Sequence, residues 1–253
     1  DEFVKLNFPD TTTAIEIVTH KTSFEVYEKY LPTFNSATIE TMLFRIPDLS
    51  EHFVFFNDDF FLLRDIDPEE WYKDGKSVAV GWWKSLILGD FLSFVKPRKN
   101  GKRPLGFKDR MRRTAHFLNY RFRDFHIQHA PHPLKNSVFE KFYKANPQVL
   151  ESNVQYRFRE RAQIHPQTLF YLLGLKSGQC VMKPEKVFYM KPVNRGESYV
   201  DNKIAFFDKN HPSGVCIGSL DLATPQDREK IRKWLQEVID VRFPQSVPLT
   251  DLR

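Results

Sequence analysis

Two periods of apolar residues run through the chain. The run Phe53-Val54-Phe55-Phe56 stops at Asn57-Asp58-Asp59 and resumes at Phe60-Phe61-Leu62-Leu63. Four β-formers bounded by polar residues read as a buried strand. Residues 14–20, AIEIVTH, alternate as a strand does. Residues 36–46 read as a helix capped by Ser36, with Ile39, Leu43 and Ile46 on one face. Pro47 ends it, so 14–56 has the length of a strand–helix–strand crossover. Further on, Asp67-Pro68-Glu69-Glu70 opens a helix and residues 78–83, VAVGWW, form a strand. Helices are predicted over 107–118 and 137–145. Both histidines of His129-Ala130-Pro131-His132-Pro133 fall on a turn. Residues 156–161, YRFRER, alternate, which places Arg157, Arg159 and Arg161 on one face of an extended stretch. A helix over 167–175 is closed by Gly174 and Gly178. Strands are predicted over 186–190 and 214–217. Thr224-Pro225-Gln226-Asp227 starts a last helix that carries Ile231, Leu235 and Val238 toward the core. The pattern is that of an α/β protein.

Composition narrows the reading. The 253 residues make one large domain or a domain with an appendage, and 24 Phe supply its core. With 28% charged residues, a folded soluble chain is expected rather than a disordered one. No apolar run reaches the roughly 18–20 residues that span a bilayer. The opening DEFVKLNFPD has no secretory signal, and a start without Met reads as that of a fragment. Cys180 and Cys216 form no metal-ligand pattern. They point to a reducing compartment, with a single disulfide as the alternative.

Charge changes the picture more. The chain is +6 overall, yet residues 96–123 carry eleven Lys/Arg against one acid, Asp109. Such a stripe faces phosphates of a nucleotide, an acidic polymer, a membrane surface or a nucleic acid, or else it is a solvated helix face. Residues 97–106 within it read as a loop. No nucleic-acid module surrounds it, so nucleic acid is not an expected partner.

The candidate chemistry sits at the ends of these elements. Two adjacent carboxylates at a strand's end suit a cation or a base in a crevice, and they equally suit a polar hairpin turn. Glu40 borders the apolar stripe of its helix, where it is either a solvated charge or a third acid in that crevice. His129 and His132 are either metal ligands or structural. The chain has no glycine-rich phosphate loop, no serine nucleophile elbow and no zinc spacing. An acidic crevice, a histidine turn and an arginine-rich stretch together suit phosphoryl or glycosyl transfer from a nucleotide-activated donor.

The run LPTFNSATIETMLFRIPDLSEHFVFFNDDFFL closely resembles the second conserved region of the Stealth proteins. These include bacterial capsule polymerases that transfer sugar-1-phosphates and the catalytic subunit of the lysosomal-enzyme N-acetylglucosamine-1-phosphotransferase. HAPHPLKNSVFEKF resembles the third region, YRFRERAQ the arginine segment after it, and VCIGSLDLATPQDREKIRKWLQEVIDVRFPQS the fourth. The resemblance covers most of 10–246. It implies a single catalytic domain with a Rossmann-like sheet flanked by helices, and 96–123 as a basic helical insertion. It also implies a UDP-sugar donor, a glycan or polysaccharide acceptor, and Mg²⁺ or another divalent cation. Carried over by position, the functional residues are Glu40, Asp59, His129 and Arg159, with Asp58 and Asp59 toward the metal. Asn57, Arg45, His132 and Arg157 are expected at the substrate. Asp59 and Asp58 would hold the cation or orient the pyrophosphate. His129 would act as general base, with Arg159 on the transferred phosphoryl group. The setting implied is bacterial cytoplasm in capsule or exopolysaccharide synthesis, with peripheral contact to the inner membrane through 96–123. Three departures stand out: no first conserved region, Gln163 where the family has an acid, and Gly218-Ser219 where it has an Asn-Asp pair. They leave open a non-catalytic domain that binds glycan or nucleotide.

Overall fold

The computed structural model describes residues 15–95, 106–184 and 188–242. Its strands are β1 (His52–Phe55), β2 (Phe60–Leu62), β3 (Tyr72–Lys73), β4 (Lys76–Ser85), β5 (Arg123–Ile127), β6 (His132–Lys135), β7 (Cys180–Lys183), β8 (Phe188–Met190) and β9 (Gly214–Ile217). Its helices are α1 (His20–Ser23), α2 (Ser36–Thr41), α3 (Pro68–Trp71), α4 (Leu86–Val95), α5 (Phe107–Phe117), α6 (Asn136–Ala145), α7 (Pro147–Val154), α8 (Pro166–Ser177), α9 (Tyr199–Asn210) and α10 (Pro225–Arg242). The architecture is mixed α/β, with open sheets flanked by helices.

Two apolar clusters hold it together. In the larger, α5 and α8 lie against β4 and β5, burying Met111, Ala115, Phe125, Ile127, Leu169 and Phe170 completely. In the smaller, α9 and α10 cover the sheet ordered β2-β9-β8, burying Met190, Phe207, Val215, Ile231 and Trp234. Each such side chain contributes roughly 1.5–3 kcal/mol by leaving water. Local signals fix several ends. Asp67 and Glu70 make a capping box on α3. The Thr224 hydroxyl accepts the Asp227 N–H at 3.1 Å at the start of α10. Gly178 takes φ +73° where α8 ends.

The acidic turn lies between these clusters. β1 and β2 are joined by Asn57-Asp58-Asp59, yet they do not pair with each other. β1 runs antiparallel to β6, with Phe55 opposite His132. β2 runs antiparallel to β9, with Phe60 opposite Cys216. The segment is a turn, as one sequence reading had it, but it carries the chain from one sheet to another instead of closing a hairpin. Gly214 makes the second pairing feasible: a Cβ there would lie 2.4 Å from the Phe60 ring.

Several sequence expectations give way. Residues 15–19 form no strand; Ile15 and Ile17 are exposed, and the Thr19 side chain caps α1 instead. Alternation makes a strand only where an edge is open to pair with. The crossover predicted over 14–56 is therefore absent, whereas β8, α9 and the parallel strand β9 do form one. The predicted helix over 36–46 divides into α2 and a 3-10 turn at Leu43–Arg45, and its cap is Asn35. YRFRER is irregular, not a strand. His132 opens β6 rather than sitting on the turn. Both cysteines are free and buried, so the disulfide alternative falls away. The helical part of the basic segment is built into the larger core through Met111 and Ala115. Residues 96–105, with most of the predicted loop, and 186–187 of the predicted strand lie outside the described residues.

Candidate active site

Asp59 is held by the smaller sheet. Its carbonyl accepts the Ile217 N–H at 2.8 Å, and its Oδ2 accepts the Cys216 thiol at 3.3 Å. His129 arrives from the larger core, on the loop between β5 and β6. Its ring stacks on Phe107 at 4.6 Å and faces Tyr189 of β8 at 6.4 Å. One ligand atom each from Asp59, His129 and Cys216 lie within 4.8 Å of one another. Burial lowers the His129 pKa below the usual imidazole value; nearby Asp59 opposes this, and Arg110 and Arg159 add to it. The imidazole is thus neutral, free to accept a proton, near neutral pH. The same burial, with Asp59 alongside, pushes the Cys216 thiol well up, so it stays protonated.

Glu40 extends the cluster. Helix α2 buries Ala37, Thr38 and Thr41, which leaves Glu40 directed toward α5 and α8. Burial raises its carboxyl pKa, while Gln167, Arg110, Arg159 and Ser36 pull it back. Arg110 is almost wholly buried on α5; burial lowers its pKa and Glu40 raises it. Arg159, on the surface, donates to the Ser36 hydroxyl at 2.9 Å. Among the described residues, seven buried side-chain atoms have no hydrogen-bond partner, and four of them are here: Glu40 Oε2, Asp59 Oδ1, Arg110 Nη1 and Gln167 Oε1. Buried polar groups are nearly always satisfied, and each exception needs a cause.

The structure therefore brings Glu40, Asp59, His129 and Arg159 together. Asp58 is exposed on the same turn, within electrostatic reach of Cys216. Asn57 is half-buried, and its carbonyl accepts the Phe60 N–H at 3.3 Å. Arg45 stands apart, donating to the Ser23 and Glu25 carbonyls and lying over Tyr27. His132 is buried among Phe55 and Tyr171, and burial takes its pKa down to about 3. Arg157 covers the rings of Phe34 and Phe158. Gln163 is fully buried in a separate hydrogen-bond network with Asn35, Thr38 and Asn153.

Sequence reasoning missed Arg110, Gln167, Cys216 and Tyr189. A signal existed for Arg110. It shares the buried face of α5 with Met111, Thr114 and Ala115, at helical spacing. An arginine on a core stripe calls for a partner, and counting charge over the whole segment hid it. Gln167, buried in the first turn of an apolar helix, carried a weaker signal. Cys216 and Tyr189 carried none, because only the β8–β9 pairing places them here.

The Asp59, His129 and Cys216 cluster could take a divalent cation only with the Cys216 proton displaced, whereas the orphaned Asp59 Oδ1 fits that use as it stands. Carboxylate oxygens suit hard ions, whereas the imidazole and thiol favour softer ones. An open cleft of about 570 Å³ adjoins His129, lined by Phe107, Lys108, His126, Gln128 and Tyr189 among others. No described helix is long and apolar enough to cross a membrane. Of the segment expected to touch a membrane, residues 96–105 lie outside the described residues.

Residues 6–80 match the model of the Stealth protein conserved region 2, which spans Glu40 and the acidic turn. This chain is homologous to the Stealth proteins. It is 29% identical over 220 residues to the capsular polysaccharide phosphotransferase fcs1 of Haemophilus influenzae, covering 80% of this chain and 55% of that protein. It is 28% identical over 258 residues to the exopolysaccharide phosphotransferase cps2G of Lactiplantibacillus plantarum, covering 92% and 72%. It is 29% identical over 241 residues to the receptor polysaccharide phosphotransferase WefC of Streptococcus gordonii, covering 86% and 69%. The chain spans about half the length of several such relatives. His129 and Cys216 lie outside the conserved region 2 match and join Asp59 in the fold, with Arg159 in electrostatic reach of His129.

Proposed function

We propose that this chain carries the catalytic site of a sugar-1-phosphate transferase acting in capsule or exopolysaccharide synthesis. An acceptor hydroxyl attacks the phosphorus next to the sugar of a UDP-sugar. The new O–P bond forms as the anhydride P–O bond breaks; UMP leaves with that electron pair, and the sugar's anomeric bond is untouched. His129 takes the hydroxyl proton, its neutral form favoured by burial. Asp59 stabilises the imidazolium that results. Arg159 and Arg110 offset charge on the transferred phosphoryl group. Glu40 orients the acceptor and keeps Arg110 in place. Asp58 and Asp59 would hold a divalent cation such as Mg²⁺, which when bound neutralises pyrophosphate charge.

What carries this reading is the orphaned set Glu40, Asp59, Arg110 and Gln167 around His129. Its donors and acceptors suit a ligand with both anionic oxygens and hydroxyls. The β8–α9–β9 crossover supports a Rossmann-like smaller sheet, and the two free thiols support a cytoplasmic setting. A second reading, a binding domain without chemistry, rests on Gly218. A Cβ there would lie 2.7 Å from the Tyr189 hydroxyl, so the family's larger residue would need that side chain to move aside.

The test is a panel of UDP-sugars with Mg²⁺ and an oligosaccharide acceptor. Transfer yields UMP in step with phosphate joined to the glycan. Release of UDP instead means glycosyl transfer and overturns the mechanism. Tight UDP-sugar binding with no nucleotide released selects the binding domain.

A further inference from the structure

Beside the cluster the surface carries a feature the reaction centre does not use. Phe34 and Phe158 are 64% and 63% exposed, yet their rings are nearly parallel, with centroids 5.9 Å apart. The Arg157 guanidinium lies 5.2 Å from the first ring centre and 5.9 Å from the second. Exposed phenylalanines on loops gain little for folding. These two are also held in place. The Phe34 N–H donates to the Arg157 carbonyl at 3.0 Å. The buried Asn35 amide donates to the Tyr156 and Phe158 carbonyls at 3.2 and 2.9 Å. Two loops distant in sequence are thereby joined under a rigid aromatic surface. The surface also borders the site: Arg159, next to Phe158, bonds Ser36, which neighbours Glu40.

We infer that Phe34, Phe158 and Arg157 form an acceptor subsite that grips a glycan already carrying phosphodiester links. This rests on the transferase reading, and it names the acceptor's chemistry. The electron-rich ring faces attract the polarised C–H groups of a pyranose. The guanidinium fork matches the two free oxygens of a phosphodiester. A polymerase that adds sugar-1-phosphate makes such links, so its own product, one repeat back from the reacting hydroxyl, has the chemistry that fits. Arg157, Arg159 and Arg161 outnumber the single acid of that loop, Glu160, which agrees with an anionic ligand. Pre-ordered loops lower the entropy lost on binding.

The experiment measures calorimetric binding to the full chain. The probes are oligomers of N-acetylglucosamine joined by 1-phosphodiester links, with one, two and four repeats, and neutral oligomers of equal length. Binding should tighten at least tenfold from one repeat to four, and only with phosphodiesters. Phe34→Ala/Phe158→Ala should abolish that gain. Phe34→Leu/Phe158→Leu, which keeps the bulk and removes the ring faces, should lose most of it with UDP-sugar affinity unchanged. Arg157→Gln should erase the preference for phosphodiester over neutral oligomers. Equal binding of all lengths by the wild-type chain, or a leucine variant as length-sensitive as wild type, overturns the subsite. A chain that grips the oligomers but never releases UMP keeps the subsite and loses the transferase reading.

Discussion

Helix α2 has two buried polar neighbourhoods, and they are built to opposite rules. On one side, Thr38 and Thr41 meet Asn35, Asn153 and Gln163. There the Gln163 amide donates to the Asn153 carbonyl at 2.8 Å, and the Asn153 amide donates to Thr41 at 2.7 Å. The Ile164 N–H donates to the Asn153 side chain at 2.8 Å. On the other side, Glu40 meets Arg110, Gln167 and Arg159, with orphaned atoms on three of the four. The first neighbourhood is closed on itself and fixes the loops. The second holds unspent hydrogen-bonding capacity in a low-dielectric setting, which is costly in the free protein and useful to a ligand. Composition separates them, since the first is made of neutral amides and hydroxyls and the second of a carboxylate, two guanidinium groups and one amide. Completeness of pairing separates them further.

Substitutions should split along that line. The largest effect is expected in the second neighbourhood and beside it: Asp59→Asn, His129→Ala or Arg159→Ala should each lower UMP release by about 10²–10⁴-fold, with the melting temperature held. Full transfer in all three sinks the assignment. Next, Asn35→Ala should cost about 2–4 kcal/mol, because it strands several buried partners, and lower the melting temperature by roughly 5–10 °C. Gln167→Met, across the helix, removes only its hydrogen bond to Glu40 and should cost less, about 1 kcal/mol. Equal losses in both would erase the distinction. A further effect, of pH rather than of one substitution, is spread through the core. Burial lowers His126 to about 4 and His132 to about 3, and takes His165 well below the usual value. The unfolded chain takes up these protons below pH ~6.5 and the native fold does not. Stability is therefore complete above that pH and falls on acidification toward 4 and then 3, by up to ~1.4 kcal/mol per pH unit for each group. Glu40 and Asp124, raised by burial, act in the opposite sense, so the slope is a net one. Thermal melts from pH 7 to 4 should show the decline, and His132→Phe should flatten it. Transfer should fall on acidification below the usual imidazole value, as His129 takes up its proton.

Much of the fold was legible where a local rule suffices. The caps at Asp67 and Thr224 and the strand over 214–217 depend on neighbours in sequence, and the structure has them. What depends on a partner was not. The alternation at Ile15 and Ile17 finds no sheet edge. YRFRER is held in place by carbonyl bonds to Asn35 rather than by a ladder. The acidic turn was seen, but the two-sheet crossing that aims it was not, since pairing of Phe60 with Cys216 leaves no trace in either segment alone. The site was legible mainly as residue types. Arg110 shows the limit: a charge total conceals an arginine that is buried and faces Glu40.

Gly214 has a consequence for how sequences of this kind can drift. The Phe60 ring occupies the space its side chain would need, and Phe60 follows directly on Asp59. Any residue larger than glycine at 214 must displace that ring, and its Cβ would also lie 2.7 Å from the Phe61 carbonyl oxygen. Position 214 should therefore stay glycine even where position 60 carries a smaller residue, because the Phe61 carbonyl remains in the way. The register of the carboxylate is inherited from an omission on a strand far along the chain.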